Sequence, residues 1–238
     1  MNIPETYNQL DQWTTVMFLY NSALKAINTK IEILNNEFIH LYNYNPIEHI
    51  KSRLKTPESI VKKLKRGGYE VTIPNMIEHL SDIAGIRIIC SFSPDIYRIA
   101  EMIARQSDVT VLVVKDYIKN PKPNGYKSYH MVVSVPVYLS TGPVNVKVEI
   151  QIRTIAMDFW ASLEHKIRYK FEGKAPQHIN EELKACSDIV KVLDAKMLSL
   201  NEEVQALPKV GVEEQHEENV RMQKMWEENK IVDKLQKK

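Results

Sequence analysis

Val144-Asn145-Val146-Lys147-Val148-Glu149-Ile150-Gln151-Ile152-Arg153 alternates without a break between an aliphatic and a polar residue. A period of two puts all the aliphatic side chains on one face of a strand and all the polar ones on the other. The aliphatic face demands a core. The polar face is either a solvated surface, as is common in antiparallel sheets, or the floor of a site. Its neighbours favour a floor. Further strand-like runs read at Val109–Ile118 and Tyr129–Leu139, and another at Ile86–Phe92 carries Arg87. Arg87 and His130 are thereby placed where they can join Glu149 and Gln151.

Helical signals surround these strands. Thr56-Pro57 supplies an N-cap and a first-turn proline, and Gly67-Gly68 ends that helix. Further helices read near Pro74–Asp82, Pro94–Gln106 and Ile155–Lys170. The expected architecture is α+β: a mixed, mostly antiparallel sheet of four to five strands flanked by helices. A long apolar stripe at helical spacing runs from Trp13 through Tyr20, Ile27 and Leu34 to Leu41, and a second from Leu183 through Val190 and Met197 to Val204. Each must pack on the domain or on another subunit. The organisation reads as an N-terminal helical extension over 1–44, a central domain over 45–175, a C-terminal helix over 176–207 closed by Pro208 and Gly211, and a charged tail over 208–238.

Composition narrows the function. With 238 residues, 44% of them hydrophobic and a net charge of +2, the chain suits one substantial core. Near-neutral charge argues against coating nucleic acid, so RNA binding is not indicated. Cys90 and Cys186 lack metal-type spacing. The N-terminus lacks a signal-peptide layout and no apolar run reaches membrane-spanning length, so a cytoplasmic protein without membrane contact is expected.

The charge is uneven. Residues 51–66 carry seven Lys or Arg against one acid, Glu58. Arg53 and Lys55 precede the helix that begins at Pro57, with Ser59 and Lys63 on it. Cations at a helix N-terminus oppose its dipole unless an anion sits there, so this end reads as a phosphate site. The loop from Lys115 to His130 contains Pro121, Lys122, Pro123, Asn124, Gly125 and Tyr126. The prolines stiffen it, and Asn124-Gly125 supplies turn chemistry that would present Tyr126 outward to a flat anionic ligand. A plain hairpin turn has the same signature. Asp82, just before the Arg87 strand, is a turn residue by default; beside Glu149 it could help to hold Mg²⁺, which favours carboxylates together with substrate phosphates. No Walker-type or Gly-x-Gly-x-x-Gly loop is present.

Lys51-Ser52-Arg53-Leu54-Lys55, Asp82-Ile83-Ala84-Gly85-Ile86-Arg87, the loop from Asp116 to His130, Glu149-Ile150-Gln151-Ile152-Arg153-Thr154 and Trp160-Ala161-Ser162-Leu163-Glu164-His165 occur in that order. Together, from about Asn45 to Val204, they resemble the synthetase domain of the RelA/SpoT family. The chain has no His-Asp dipeptide, the hallmark of the family's hydrolase centre, and its length matches a stand-alone small alarmone synthetase of the RelP or RelQ type, with a lean to RelP. The resemblance implies a nucleotidyltransferase-like fold and Mg²⁺-dependent transfer of pyrophosphate from ATP to the 3′-hydroxyl of GTP or GDP, releasing AMP. It implies that Arg53 and Arg87 sandwich adenine while Lys55, Ser59 and Lys63 hold the ATP phosphates. Asp82 and Glu149 match the metal-binding acids, with Glu149 also activating the hydroxyl. Tyr126 would stack on guanine, and His130, Lys115 and Lys122 would meet the acceptor's phosphates, supported by Gln151 and Asn124. Homotetramers through the terminal helices follow by the same resemblance. The alternatives are a catalytically silent, nucleotide-responsive regulator, RNA-binding in one version, and a polymerase-like nucleotidyltransferase that would release pyrophosphate.

Overall fold

The computed structural model describes residues 7–171 and 175–207. Helix α1 (Tyr7–Tyr42) leads into strand β1 (Ile47–Leu54), then helices α2 (Pro57–Arg66) and α3 (Ile73–His79). Strand β2 (Ala84–Cys90), helix α4 (Ser93–Ala104) and strands β3 (Thr110–Asp116), β4 (Tyr129–Leu139) and β5 (Gly142–Thr154) follow. Helices α5 (Ile155–Lys170) and α6 (Gln177–Ala206) complete the described fold. The charged tail over 208–238, with Pro208 and Gly211, lies outside the described residues.

The five strands are ordered β1-β2-β5-β4-β3, and every pairing is antiparallel except β2 with β5. This is the expected mixed sheet, with β1 as a strand the sequence reading did not mark. Its central strands bury Ile86, Ile88, Met131, Val133, Val148 and Ile150 on one face. Helix α1 lies over that face, and Tyr20, Leu24, Ile27, Ile31 and Leu34 join the same core. The first stripe is therefore core packing from Trp13 to Leu34, while Leu41 at its end is exposed. Helix α3 is shorter than expected, ending at His79, because Leu80 turns extended.

The second stripe divides. Leu183 is buried with Trp160 and Ala161 of α5, whereas Leu193, Met197, Leu200 and Val204 are each half exposed or more. No helix among the described residues is long and apolar enough to cross a membrane.

Candidate active site

Register brings the polar residues together. Lys51, Arg87, Gln151, His130 and Lys115 stand side by side on β1, β2, β5, β4 and β3, forming one row across the sheet. The next row contains Arg53, Gly85 and Glu149. Paired residues project to the same side, so these groups share the face opposite the aliphatic core. Lys147, also on that face, donates from Nζ to the carbonyls of Ile77 and Glu78 and so tethers α3.

At the β1 side, Thr56 caps α2 by accepting the Ser59 amide, and its hydroxyl donates to Ser59 Oγ at 3.0 Å. Lys55 and Lys63 converge on Asp82 from either side, with Nζ at 2.7 Å from Oδ2 and 2.8 Å from Oδ1. Burial raises the Asp82 carboxyl pKa, but the hydrogen bonds and charges of the two lysines outweigh it and hold the group below its usual value. The Arg53 side chain lies against the open ground of Gly85, its Cγ 3.8 Å from where a Cβ would stand. Arg87 reaches Asp158 of α5 at 3.2 Å, and its buried Nε has no hydrogen-bond partner among the described residues.

Glu149 occupies the centre. Burial raises its carboxyl pKa; His130 Nδ1, 3.6 Å away, and Gln151 Nε2, donating at 3.0 Å, outweigh this and keep it below the usual range. The Asp82 charge acts on it in the opposite sense, so the two acids share one electrostatic site. Among the described residues no group of three or more His, Cys, Asp or Glu could hold a metal unaided.

The loop after β3 is firmly built. Asp116 Oδ1 accepts the amides of Ile118 and Lys119, and Lys122 and Tyr126 close a turn through Lys122 N to Tyr126 O at 3.1 Å. The sharp bend centres on Pro123-Asn124, with Gly125 N donating to Lys122 O, and Gly125 takes the left-handed conformation at φ +89°. Tyr126 is not turned outward as the turn chemistry suggested. It is half-buried against Trp160 and Leu183, and its hydroxyl meets His130 Nε2 at 2.8 Å and Arg153 Nη2. The cause is α6, which crosses the loop: Ser187 donates to Gly125 O and accepts Lys127 Nζ on its own carbonyl. Lys122 Nζ sits 4.7 Å and 4.8 Å from the ring centres of Tyr117 and Tyr126. Lys115 is exposed on β3. Asn124 faces α5, donating to Glu164 at 2.9 Å, which makes it an anchor of the loop.

Two residues of this region were not singled out from sequence. Arg153 shares the parity of Glu149 and Gln151, a signal that was available. Asp158, in the first turn of α5, reads in sequence as an ordinary helix-dipole partner.

A basic cluster, a pair of ionised acids and an aromatic, basic loop thus lie on one sheet face. Residues 52–174 match the model of the region found in RelA and SpoT proteins. The chain is 49% identical over 195 residues to GTP pyrophosphokinase YwaC of Bacillus subtilis, covering 82% of this chain and 93% of that one. Among solved structures it resembles small alarmone synthetase 2 of Bacillus subtilis at TM-score 0.73 and 48% identity, over 80% of this chain and 98% of that one. It also resembles small alarmone synthetase 1 of the same organism, bound to its product pppGpp, at TM-score 0.75 and 36% identity, over 82% and 98%. The chain belongs to the RelA/SpoT family, alongside its small alarmone synthetases.

Proposed function

We infer that this chain is a GTP pyrophosphokinase that makes (p)ppGpp from ATP and GTP or GDP and releases AMP. The observation that carries the reading is the shared row of Arg87, Gln151 and His130 beside Glu149, with a cationic cluster at one end and the Tyr126 loop at the other. The name of the similar YwaC and the pppGpp bound to small alarmone synthetase 1 support it.

Transfer of this kind asks the protein mainly to align two polyanions and neutralise charge. Arg53 and Arg87 enclose the adenine, and Lys55, Ser59 and Lys63 take the ATP phosphates. Tyr126 stacks on guanine, with His130, Lys115 and Lys122 at the acceptor's phosphates, Gln151 supporting the row and Asn124 anchoring the loop. The acceptor's 3′-oxygen attacks the β-phosphorus of ATP; the bond from that phosphorus to the α,β-bridging oxygen breaks, and AMP leaves with that oxygen. Glu149, acceptor-only when ionised, takes the hydroxyl proton.

Two ionised carboxylates facing incoming phosphates suit Mg²⁺. Asp82 and Glu149 would hold it together with the nucleotide, and bound there it would neutralise phosphate charge. The exposed half of the α6 stripe suits a homotetramer. The setting that fits is the cytoplasm, in the stringent response. We assign catalysis to 45–175, with the flanking helices bracing it. Anion-exchange separation of the nucleotides after incubation with ATP, GTP and Mg²⁺ tests this: AMP and a more phosphorylated guanosine nucleotide should form in equal amounts, each requiring both substrates. Absence of that guanosine product would refute the reading.

A further inference from the structure

Arg153 is only 4% exposed, although its guanidinium carries five N–H donors that all need partners. Four partners hold it. Its Nε donates to Ser128 Oγ at 3.2 Å, Nη1 to Asp158 Oδ1 at 3.0 Å, and Nη2 to Gln151 Oε1 at 3.0 Å and to the Tyr126 hydroxyl. The guanidinium carbon also lies 5.1 Å from the Tyr126 ring centre. The fork therefore fixes both the tilt and the depth of the loop's aromatic ring.

The same Asp158 oxygen is shared. Arg87 Nη1 lies 3.2 Å from Oδ1, so one carboxylate from α5 stands between two guanidiniums. Those cations oppose each other: burial depresses the Arg87 pKa, and the Arg153 charge depresses it further, while Asp158 acts against both. Removing the shared anion would leave a buried guanidinium and a partly exposed one repelling. One of them belongs to the donor side of the row and the other grips the acceptor's aromatic residue.

We propose that Arg153 and Asp158 are positioning residues that couple the donor and acceptor nucleotide sites. A guanine nucleotide on Tyr126 bears on Arg153, and through the Asp158 oxygen that both guanidiniums share it bears on Arg87 at the adenine. A nucleotide that favours one setting of that carboxylate favours the same setting at the other site, so each tightens the other. Neither residue has to touch a nucleotide for this. The coupling rests on the pyrophosphate-transfer reading for the identity of its ligands.

The test separates the two. Calorimetry with the full chain measures the affinity of an α,β-methylene ATP analogue with and without saturating GTP, a pair that cannot react. In the natural chain GTP should tighten the analogue at least about fivefold, within the range usual for coupled sites. In Asp158→Asn, which keeps the shape and removes the charge, that factor should fall to about one. Asp158→Glu should restore most of it. In turnover the Asn variant should raise KM for both nucleotides, whereas a change on one side alone raises one. Should Asp158→Asn fail to fold, Arg153→Lys carries the same expectation, since an ammonium cannot hold four partners in one plane. A coupling factor of one in the natural chain, or an undiminished factor in the variants, overturns the proposal. Tight binding of both nucleotides without (p)ppGpp formation would instead overturn the enzymatic reading and leave the coupling standing.

Discussion

Gly85 of β2 stands directly beside Glu149 of β5, with Arg53 of β1 on its other side. The glycine is the gap in that row. A Cβ there would meet nothing closer than 3.8 Å, an ordinary contact. We therefore expect Gly85→Ala to fold and turn over normally, and Gly85→Leu to fold but to lose ATP affinity by at least about tenfold, as a filled nucleotide floor should. Titration of an ATP analogue against both variants checks this; equal affinities would show that the ground beside Glu149 is not used.

Glu149→Gln preserves shape and the hydrogen bond to Gln151 but cannot accept a proton. A general base contributes about 10²–10⁴-fold. Turnover should fall by at least that lower figure while the variant stays folded. Near-parental turnover would remove Glu149 from the reaction.

Asp82 links the site to stability. Its carboxyl pKa lies below the unfolded value, so its contribution is fully present above about pH 4 and is lost as pH falls through the lower native value. Glu149 titrates in the same sense. Asp82→Asn leaves Lys55 and Lys63 facing each other without their anion, which should cost about 3 kcal/mol at pH 7. Thermal melts from pH 7 to pH 3 should show a shallower acid loss in the variant than in the parent. Parallel curves would mean that the lysine clamp adds nothing to the fold.

Tyr126 does two things that substitutions can separate. Tyr126→Ala removes the ring and should weaken guanine-nucleotide binding by about 1–3 kcal/mol, the usual worth of a base stack. Tyr126→Phe keeps the ring and loses only the hydroxyl between His130 and Arg153. It should retain most of the affinity. Calorimetry with GTP distinguishes them, and equal losses in both would assign the role to the hydroxyl instead.

Gly125 carries the junction between loop and α6. At φ +89° an added Cβ would come 2.7 Å from Ser187 Cβ. Strain and overlap together should make Gly125→Ala lose about 2–3 kcal/mol and loosen the loop. Chemical denaturation reads the loss; a stability within 0.5 kcal/mol of the parent, the scatter of an ordinary surface change, would contradict it.

Much of this was legible in sequence because local chemistry dictated it. The β5 alternation named both the core face and the polar face of the sheet, and Thr56-Pro57 marked the helix that carries Ser59 and Lys63. Strand β1 was not legible, because only Ile47 is buried and Ser52 interrupts the aliphatic face between Ile50 and Leu54. The setting of Tyr126 depends on Ser187, sixty-one residues along the chain, which no local pattern announces. Arg153 was visible by parity, but its tie to Asp158 appears only when α5 turns back onto the sheet.

ATP labelled in its β-phosphate, supplied with GTP and Mg²⁺, reveals the reaction by where the label ends. Pyrophosphate transfer puts the label in the 3′-diphosphate of the guanosine product and leaves unlabelled AMP in equal amount. Label released as free pyrophosphate, with adenylate joined to an acceptor, would contradict it.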